Sequence, residues 1–456
     1  MKRTFLLCAA LLTALPLTLL AKDFPLEFKS LTAPDGLSLP GGGGISGSLQ
    51  LEKPGAITRE PPAESRHPLY GQLSDQTNRL WFRLDESGGT GKSYDRLIMD
   101  LNQNGDLTDD AVAMRADKPA PTITTNNERS VFGPIPVPAE MKIGSWRPIY
   151  FAQLYLYNLS LALQSGSRRT YIGQLRLRPG WYLETTVELD GMRRKVGIVD
   201  SDCSFRLGET SRPQTYESNG EKNWYFAGGD SFLIDSDNSG NFKGSAGNDE
   251  SAPFGSLLYL GAKPYKVVLA ADDKSLAVEP WKGPLAELVL QPHGEQVSAI
   301  EVAWESAPDQ WQLLQPGVEN GKARVPPGSY RLIHCTLKVP AANGTEVLIL
   351  EGYKRAPDGT VKVEAGGSAP FKCGSPLEIK VASERETRVV LPQALIADGK
   401  APLQQRIEAS VLGAGGETYS SFYLENKGKT HQPPSPAFTV VTADGKEVGS
   451  GNMEFG

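Results

Sequence analysis

Histidine and cysteine are scarce, with four of each in 456 residues. The histidines, His67, His293, His334 and His431, form neither His-x-His nor His-Glu-x-x-His, so a histidine-held catalytic zinc has no frame. No Cys-x-x-Cys occurs among Cys8, Cys203, Cys335 and Cys373, which excludes dithiol redox chemistry and structural zinc of ordinary spacing. Basic residues are outnumbered, 47 against 53 acidic, and the resulting net charge of −6 argues against a phosphate-backbone partner. Beyond the first twenty or so residues no apolar run reaches the roughly 18 needed to span a bilayer. Long amphipathic stretches free of Gly and Pro are missing too, so helices have little to grow from.

What the chain has in quantity is Gly (48) and Pro (34), together with short alternating apolar runs such as Leu80 to Leu84, Arg96 to Met99, Tyr150 to Tyr157, Tyr171 to Leu177 and Val196 to Val199. Asx-Gly pairs stand between such runs, at Asp190-Gly191, Asn320-Gly321, Asn343-Gly344, Asp358-Gly359, Asp398-Gly399 and Asp444-Gly445. Both central residues of a type I′ turn need positive φ, which these pairs tolerate, so each is a predicted hairpin tip. The fold class that follows is all-β and multi-domain. Residues 1–21 carry Lys2 and Arg3, an apolar run from Thr4 to Leu20 and a small Ala21, the order of a secretory signal peptide. Its removal leaves 45 basic against 53 acidic residues and an exported chain, periplasmic or extracellular, without a membrane span. Residues 22–66, rich in Gly, Pro and Ser, are expected as a flexible leader, and 67–281 as an antiparallel β region. A boundary at Pro280-Trp281-Lys282-Gly283-Pro284 leaves 282–372 and 373–456 as two predicted immunoglobulin-like sandwiches. In an oxidising compartment Cys335 and Cys373 either pair or remain two buried thiols.

One pattern occurs three times. Strand-like Arg96 to Met99 runs into Asp100, Asn102, Asn104, Gly105, Asp106, Asp109 and Asp110; Val196 to Val199 runs into Asp200, Asp202 and Ser204; Ser231 to Ile234 runs into Asp235, Asp237, Ser239, Gly240 and Asn241. Oxygen-bearing side chains fall at positions 1, 3 and 5, and an apolar residue (Leu107, Leu207, Phe242) falls at position 8. Calcium takes six to eight oxygen ligands, and a tight turn presenting every second side chain inward supplies three of them. The first loop is the strongest candidate because its carboxylates repel one another unless neutralised, and the third follows. The second lacks Gly at position 6, carries Arg206, and is the weakest, with Glu209 available to complete it. Asp109 or Asp110 is available to the first loop and Asp249 or Glu250 to the third. The alternative for each is a metal-free polar turn in which Asp and Asn cap backbone amides.

These loops resemble EF-hand-type and dockerin-like calcium loops, with two departures: the twelfth position is Ala111, Ser211 or Ala246 instead of Glu, and a strand instead of a helix leads in. Pro68-Leu69-Tyr70-Gly71-Gln72-Leu73, the run Leu80 to Leu84 and the first loop resemble a group of exported bacterial proteins carrying an EF-hand-like loop, a resemblance that implies no activity. Pro327-Gly328-Ser329-Tyr330 resembles the start of a strand in transthyretin-like and immunoglobulin-like accessory domains. The function expected is a secreted, calcium-binding structural or interaction protein without evident catalytic activity, with a cell-surface polysaccharide or protein as partner. Two rivals stand beside it. One is a secreted hydrolase with an acidic pair distant in sequence. The other is a carbohydrate-binding or adhesion module using Trp146, Trp181, Trp224, Trp304 or Trp311, though such tryptophans also serve as ordinary core. Gly229-Asp230-Ser231 opens like one lipase class, but no histidine has the Asp three residues before it that this class requires, so Ser231 is read as the start of a strand.

Overall fold

Period-two alternation organises the first half of the chain. Strands Ile45–Gln50, Leu69–Ser74, Arg79–Asp85, Arg96–Met99, Val112–Met114, Glu128–Phe132, Tyr150–Leu156 and Gly173–Pro179 form an 8-stranded antiparallel sheet in which neighbours in sequence are neighbours in space. The last pairs back onto the first, Leu177 opposite Ile45. The remaining seam is joined by an Arg115–Phe132 bridge and by hydrogen bonds from Ala116 N to Val131 O (2.7 Å) and from Gly133 N to Met114 O (3.0 Å). Closure makes this an up-and-down barrel without free edges. Eight strands leave an interior that side chains just fill, and Leu69, Leu73, Leu80, Phe82, Leu84 and Leu154 fill it, each fully buried. This computed structural model describes residues 22–32, 39, 43–74, 79–88, 94–116, 128–157, 159, 162–163, 171–189, 191–218, 221–242, 244–245, 248–341, 343–356, 358–385, 405–427 and 429–452. The expected signal peptide and its cleavage point lie outside them.

A sandwich follows. One sheet orders Ser251–Pro253, Ser231–Ile234, Met192–Val199, Trp181–Leu189 and Glu27–Ser30; the other orders Lys22–Pro25, Ser275–Pro280, Lys263–Leu269 and Leu257–Leu260. Trp181, Leu183, Val196, Ile198 and Phe232 from the first meet Phe24, Tyr265, Val267, Leu276 and Val278 from the second. The expected flexible leader is therefore corrected: residues 22–30 place one strand in each sheet, pivoting at buried Leu26, and Ile45–Gln50 belongs to the barrel. Its Gly and Pro content had masked strands too short to show a period.

The third module begins at Ala286. A sheet ordered Val318–Glu319, Lys322–Val325, Ala286–Gln291 and Ser368–Lys372 packs on a larger one built from Gln310–Leu314, Val297–Ala307, Gly328–Pro340, Val347–Tyr353, Thr418–Asn426, Gln405–Leu412 and Glu378–Arg385. Strands after residue 373 extend the same sheet as those before it, and Tyr419 and Cys373 share one core with Leu337 and Leu350. The two predicted sandwiches are thus one, followed by the hairpin Ala437–Val441 and Glu447–Asn452. Cys335 and Cys373 are both free and buried, thiol against thiol. Asn320 and Gly321 both take positive φ, 53° and 70°, between paired Glu319 and Lys322, as a type I′ tip requires. Among the described residues no helix is long and apolar enough to cross a membrane.

A hairpin, Arg212–Ser218 with Glu221–Ala227, projects from the sandwich onto the third module. Trp224 packs there on Ala303 and Leu313, and the Arg331 guanidinium lies against both Trp224 and Trp311, 4.8 and 4.6 Å from the ring centres. Trp181, Trp224 and Trp304 are buried as core, while Trp146 and Trp311 are half-buried.

Candidate metal centre

The threefold sequence pattern is a threefold structure. At position 1 the carboxylate accepts hydrogen bonds from the backbone N–H groups of positions 5 and 6: Asp100 from Asn104 and Gly105 (both 3.0 Å), Asp200 from Ser204 (2.9 Å) and Phe205 (3.1 Å), Asp235 from Ser239 (2.8 Å) and Gly240 (2.9 Å). The position 3 side chain, Asn102, Asp202 or Asp237, accepts from the N–H of position 5. Position 4 is left-handed in all three, Gln103 at φ 58°, Cys203 at 53° and Asn238 at 58°. So is position 6, where Gly105 and Gly240 are joined by Phe205 at φ 64°. A bulky residue there is strained. Phe205 is held in place by its ring, which meets Tyr150 edge-on at 4.8 Å, while Cys203 enters the barrel core. The second turn closes one end of the barrel, and the missing glycine reflects that packing.

What surrounds each turn differs. In the first, Asp106 is taken up by Thr108 and by Arg59 at 2.7 Å, and Asp109 accepts from Asn104 Nδ2 at 2.8 Å and Asn102 Nδ2 at 3.4 Å. Leu107 anchors it to Ile57, Tyr70 and Ile98. Asp110 Oδ2 is buried without a hydrogen-bond partner, and burial, then the Asp100 charge, pushes this carboxyl up to about 7. No three carboxylates of this loop converge as they do at the other two, among the described residues.

Strand register builds the other two clusters. Val199 pairs with Ser231, so the residues just beyond, Asp200 and Asp230, face each other across the end of the sheet. Asp200, Asp202 and Asp230 bring carboxylate oxygens within 4.8 Å of one another. Asp200 is fully buried and also accepts from the Tyr150 hydroxyl; Asp202 Oδ2 accepts from Gly229 N at 2.6 Å. Asp230, 1 % exposed, accepts from Glu209 N at 3.0 Å through Oδ2, and its Oδ1 has no hydrogen-bond partner. No ion pair reaches these three carboxylates among the described residues. Burial pushes Asp200 and Asp230 well above the ordinary carboxylate range, and the neighbouring charges, Asp202 on Asp200 and Asp200 with Asp202 on Asp230, push the same way. Glu209, expected to complete this loop, turns its side chain to Arg206 at 3.7 Å and gives only its amide.

At the far end of Ser231–Ile234, the neighbouring strand places Glu250 opposite Ile234, whose N–H donates to Glu250 O at 2.9 Å. Asp235, Asp237 and Glu250 form a second cluster of carboxylates within 4.8 Å. Here basic side chains already occupy the loop: Lys195 Nζ donates to Gly240 O at 3.0 Å and Arg194 Nη1 to Ser236 O at 2.7 Å. Asn241 O accepts from Ser239 Oγ at 3.1 Å. The Asp249 side chain lies outside the described ones.

Asp230 is the residue that local reading of the loops passed over, being 30 positions from Asp200. Its signal was Gly228-Gly229 before a strand. Both glycines have positive φ, and a Cβ on Gly229 would lie 2.3 Å from Ser211 N.

Asp202 and Asp230 also line a cleft of about 910 Å³ where the three modules meet. The barrel contributes Ser46 and Ser74, the projecting hairpin Gln214 and Tyr225, and the third module Glu301 and Gln315. Gln315 Nε2 donates to Glu301 Oε2 at 2.9 Å, and burial raises the Glu301 carboxyl. Comparison with protein families, with curated proteins and with solved structures finds nothing that matches this chain.

Proposed function

We propose that this chain is an exported calcium-binding β protein with a structural or interaction role, and that its principal site is Asp200, Asp202 and Asp230. The observation that carries this reading is the unpartnered Oδ1 of buried Asp230, beside two further carboxylates that no ion pair reaches among the described residues. Three buried carboxylates repel and desolvate one another unless a cation or protons neutralise them. An all-oxygen donor set with no histidine or thiolate suits a hard cation, and calcium tolerates irregular geometry better than magnesium does. The Asp235, Asp237 and Glu250 cluster is a second, weaker site.

The test is thermal unfolding of the full chain in about 2 mM calcium and in chelator. Wild type gains several degrees with calcium, and Asp230→Asn does not. Equal unfolding temperatures for wild type in the two conditions would reduce the turns to polar caps.

Hydrolysis is the second reading, and one observation favours it: Glu301, raised by burial, lines the same cleft as Asp202 and Asp230. Paired carboxylates across a cleft are the apparatus of glycoside cleavage. Reducing ends released by wild type and not by Glu301→Gln would shift the assignment to an enzyme.

A further inference from the structure

Resting on the calcium reading, we infer that the cleft beside Asp202 and Asp230 binds a neutral saccharide whose hydroxyl oxygens complete the coordination of the cation. Calcium takes six to eight oxygens, and three converging carboxylates leave positions unfilled. Asp200 is sealed beneath the turn against Tyr150, whereas Asp202 and Asp230 belong to the wall of the cleft. Asp202, the partly exposed member, and Asp230 border the cleft, so the cleft side is where water or a ligand would reach the cation.

The lining decides which ligand. A volume of about 910 Å³ lies near the upper end of small-molecule sites. No lysine, arginine or histidine lines the cleft among the described residues, so a phosphate or polycarboxylate would find no positive charge except the cation. Ser46, Ser211, Gln214 and Gln315 give the lining a neutral polar character that suits hydroxyl groups better than an apolar ligand. Tyr225, 44 % exposed and held edge-on against Tyr216 at 5.5 Å, offers an amphipathic ring of the kind that receives a sugar. Apart from Asp202 and Asp230 at the cation and Glu301, which is held by Gln315, the lining is hydroxyl and amide with one stacking surface, and that combination suits a neutral saccharide. The hairpin that carries Gln214 and Tyr225 is one of the elements joining the sandwich to the third module, beside Leu257 and Tyr259 in that module's core, so the ligand would sit at that junction.

The experiment is retention of the full chain on immobilised mannan, xylan, β-1,4-glucan and galactan, with polygalacturonate as the anionic control, in calcium and in chelator. The expected result is retention on at least one neutral polysaccharide, weakened about tenfold or more by chelator and by Tyr225→Ala or Gln214→Ala, while both variants keep the wild-type calcium shift in unfolding temperature. Three results overturn the inference and leave the metal site standing: no retention on any neutral polysaccharide by protein with an intact calcium shift, retention indifferent to chelator, or retention on polygalacturonate alone. Loss of the calcium shift in wild type instead overturns the metal reading beneath it.

Discussion

The two ends of the Ser231–Ile234 strand carry the same turn in different settings. At one end Asp200, Asp202 and Asp230 are roofed by the barrel and open to a cleft; at the other Asp235, Asp237 and Glu250 lie where Lys195 and Arg194 reach the loop carbonyls. The hydrogen-bonded turn is common to both. What separates them is burial and the presence of counter-charge: the turn sets where the oxygens point, and its neighbours set how much unneutralised charge is held there. The sequence motif favours the third loop over the second, because Gly at position 6 reports backbone ease and not charge balance.

The largest expected difference comes from removing position 1 at each end. Asp200→Ala leaves the Ser204 and Phe205 amides and the Tyr150 hydroxyl without their acceptor in a buried place and should cost about 3 to 5 kcal/mol. Asp235→Ala strands two amides nearer the surface and should cost about 1 to 2 kcal/mol. Urea unfolding in calcium checks both, and equal losses would break the comparison.

A pH response from elsewhere must be separated from either cluster. Burial pushes His334 down to about 4, its ring lies against Tyr353 at 4.5 Å, and its Nε2 is buried without a hydrogen-bond partner. The unfolded imidazole titrates near 6.5, so protonation favours unfolding: this stability is complete above about pH 6.5 and is lost as pH falls toward about 4, by about 2 to 3 kcal/mol. His334→Phe should flatten that acid limb in chelator. A limb that survives the substitution would place the acid response at the carboxylates instead.

Calcium discriminates next. At about 2 mM calcium and a Kd near 0.1 mM, one site contributes about 1.8 kcal/mol. Asp230→Asn should abolish most of the calcium increment, and Glu250→Gln should leave most of it, since Lys195 and Arg194 already place positive charge at that loop. Calorimetric titration of the two variants measures this directly, and a reversed order would make the Asp235 end the principal site.

The all-β class was legible because it is local: alternation in Leu80 to Leu84 or Val196 to Val199 and the tip at Asn320-Gly321 each need only a few residues. The turns were legible for the same reason, down to the anchoring of Leu107. Barrel closure was not, since the Arg115–Phe132 bridge crosses a seam that no periodicity marks. Strands Lys22–Pro25 and Glu27–Ser30 are four residues each, too short to show a period, and their partners lie more than 150 positions away. Asp230 joined the site through register alone. Long-range pairing, which sequence spacing does not encode, is what gathered the carboxylates.

The smallest expected effect isolates the turn from its charges. Gly240 and Gly105 occupy the same position in two copies of the motif, at φ 81° and 77°. A Cβ on Gly240 meets nothing within 4 Å, so Gly240→Ala carries only the left-handed backbone penalty, partly offset by the stiffer unfolded chain, for a net of about 1 kcal/mol. A Cβ on Gly105 falls 2.5 Å from Ala56 O, against the segment that bolts the first loop down through Thr58 N to Gly105 O, so Gly105→Ala must also move backbone and should cost at least about 2 kcal/mol. Neither substitution removes a ligand oxygen. If Gly240→Ala weakened calcium binding as much as Asp230→Asn does, the turn's backbone would be supplying coordination, and the division between geometry and charge at the two ends of the strand would fail.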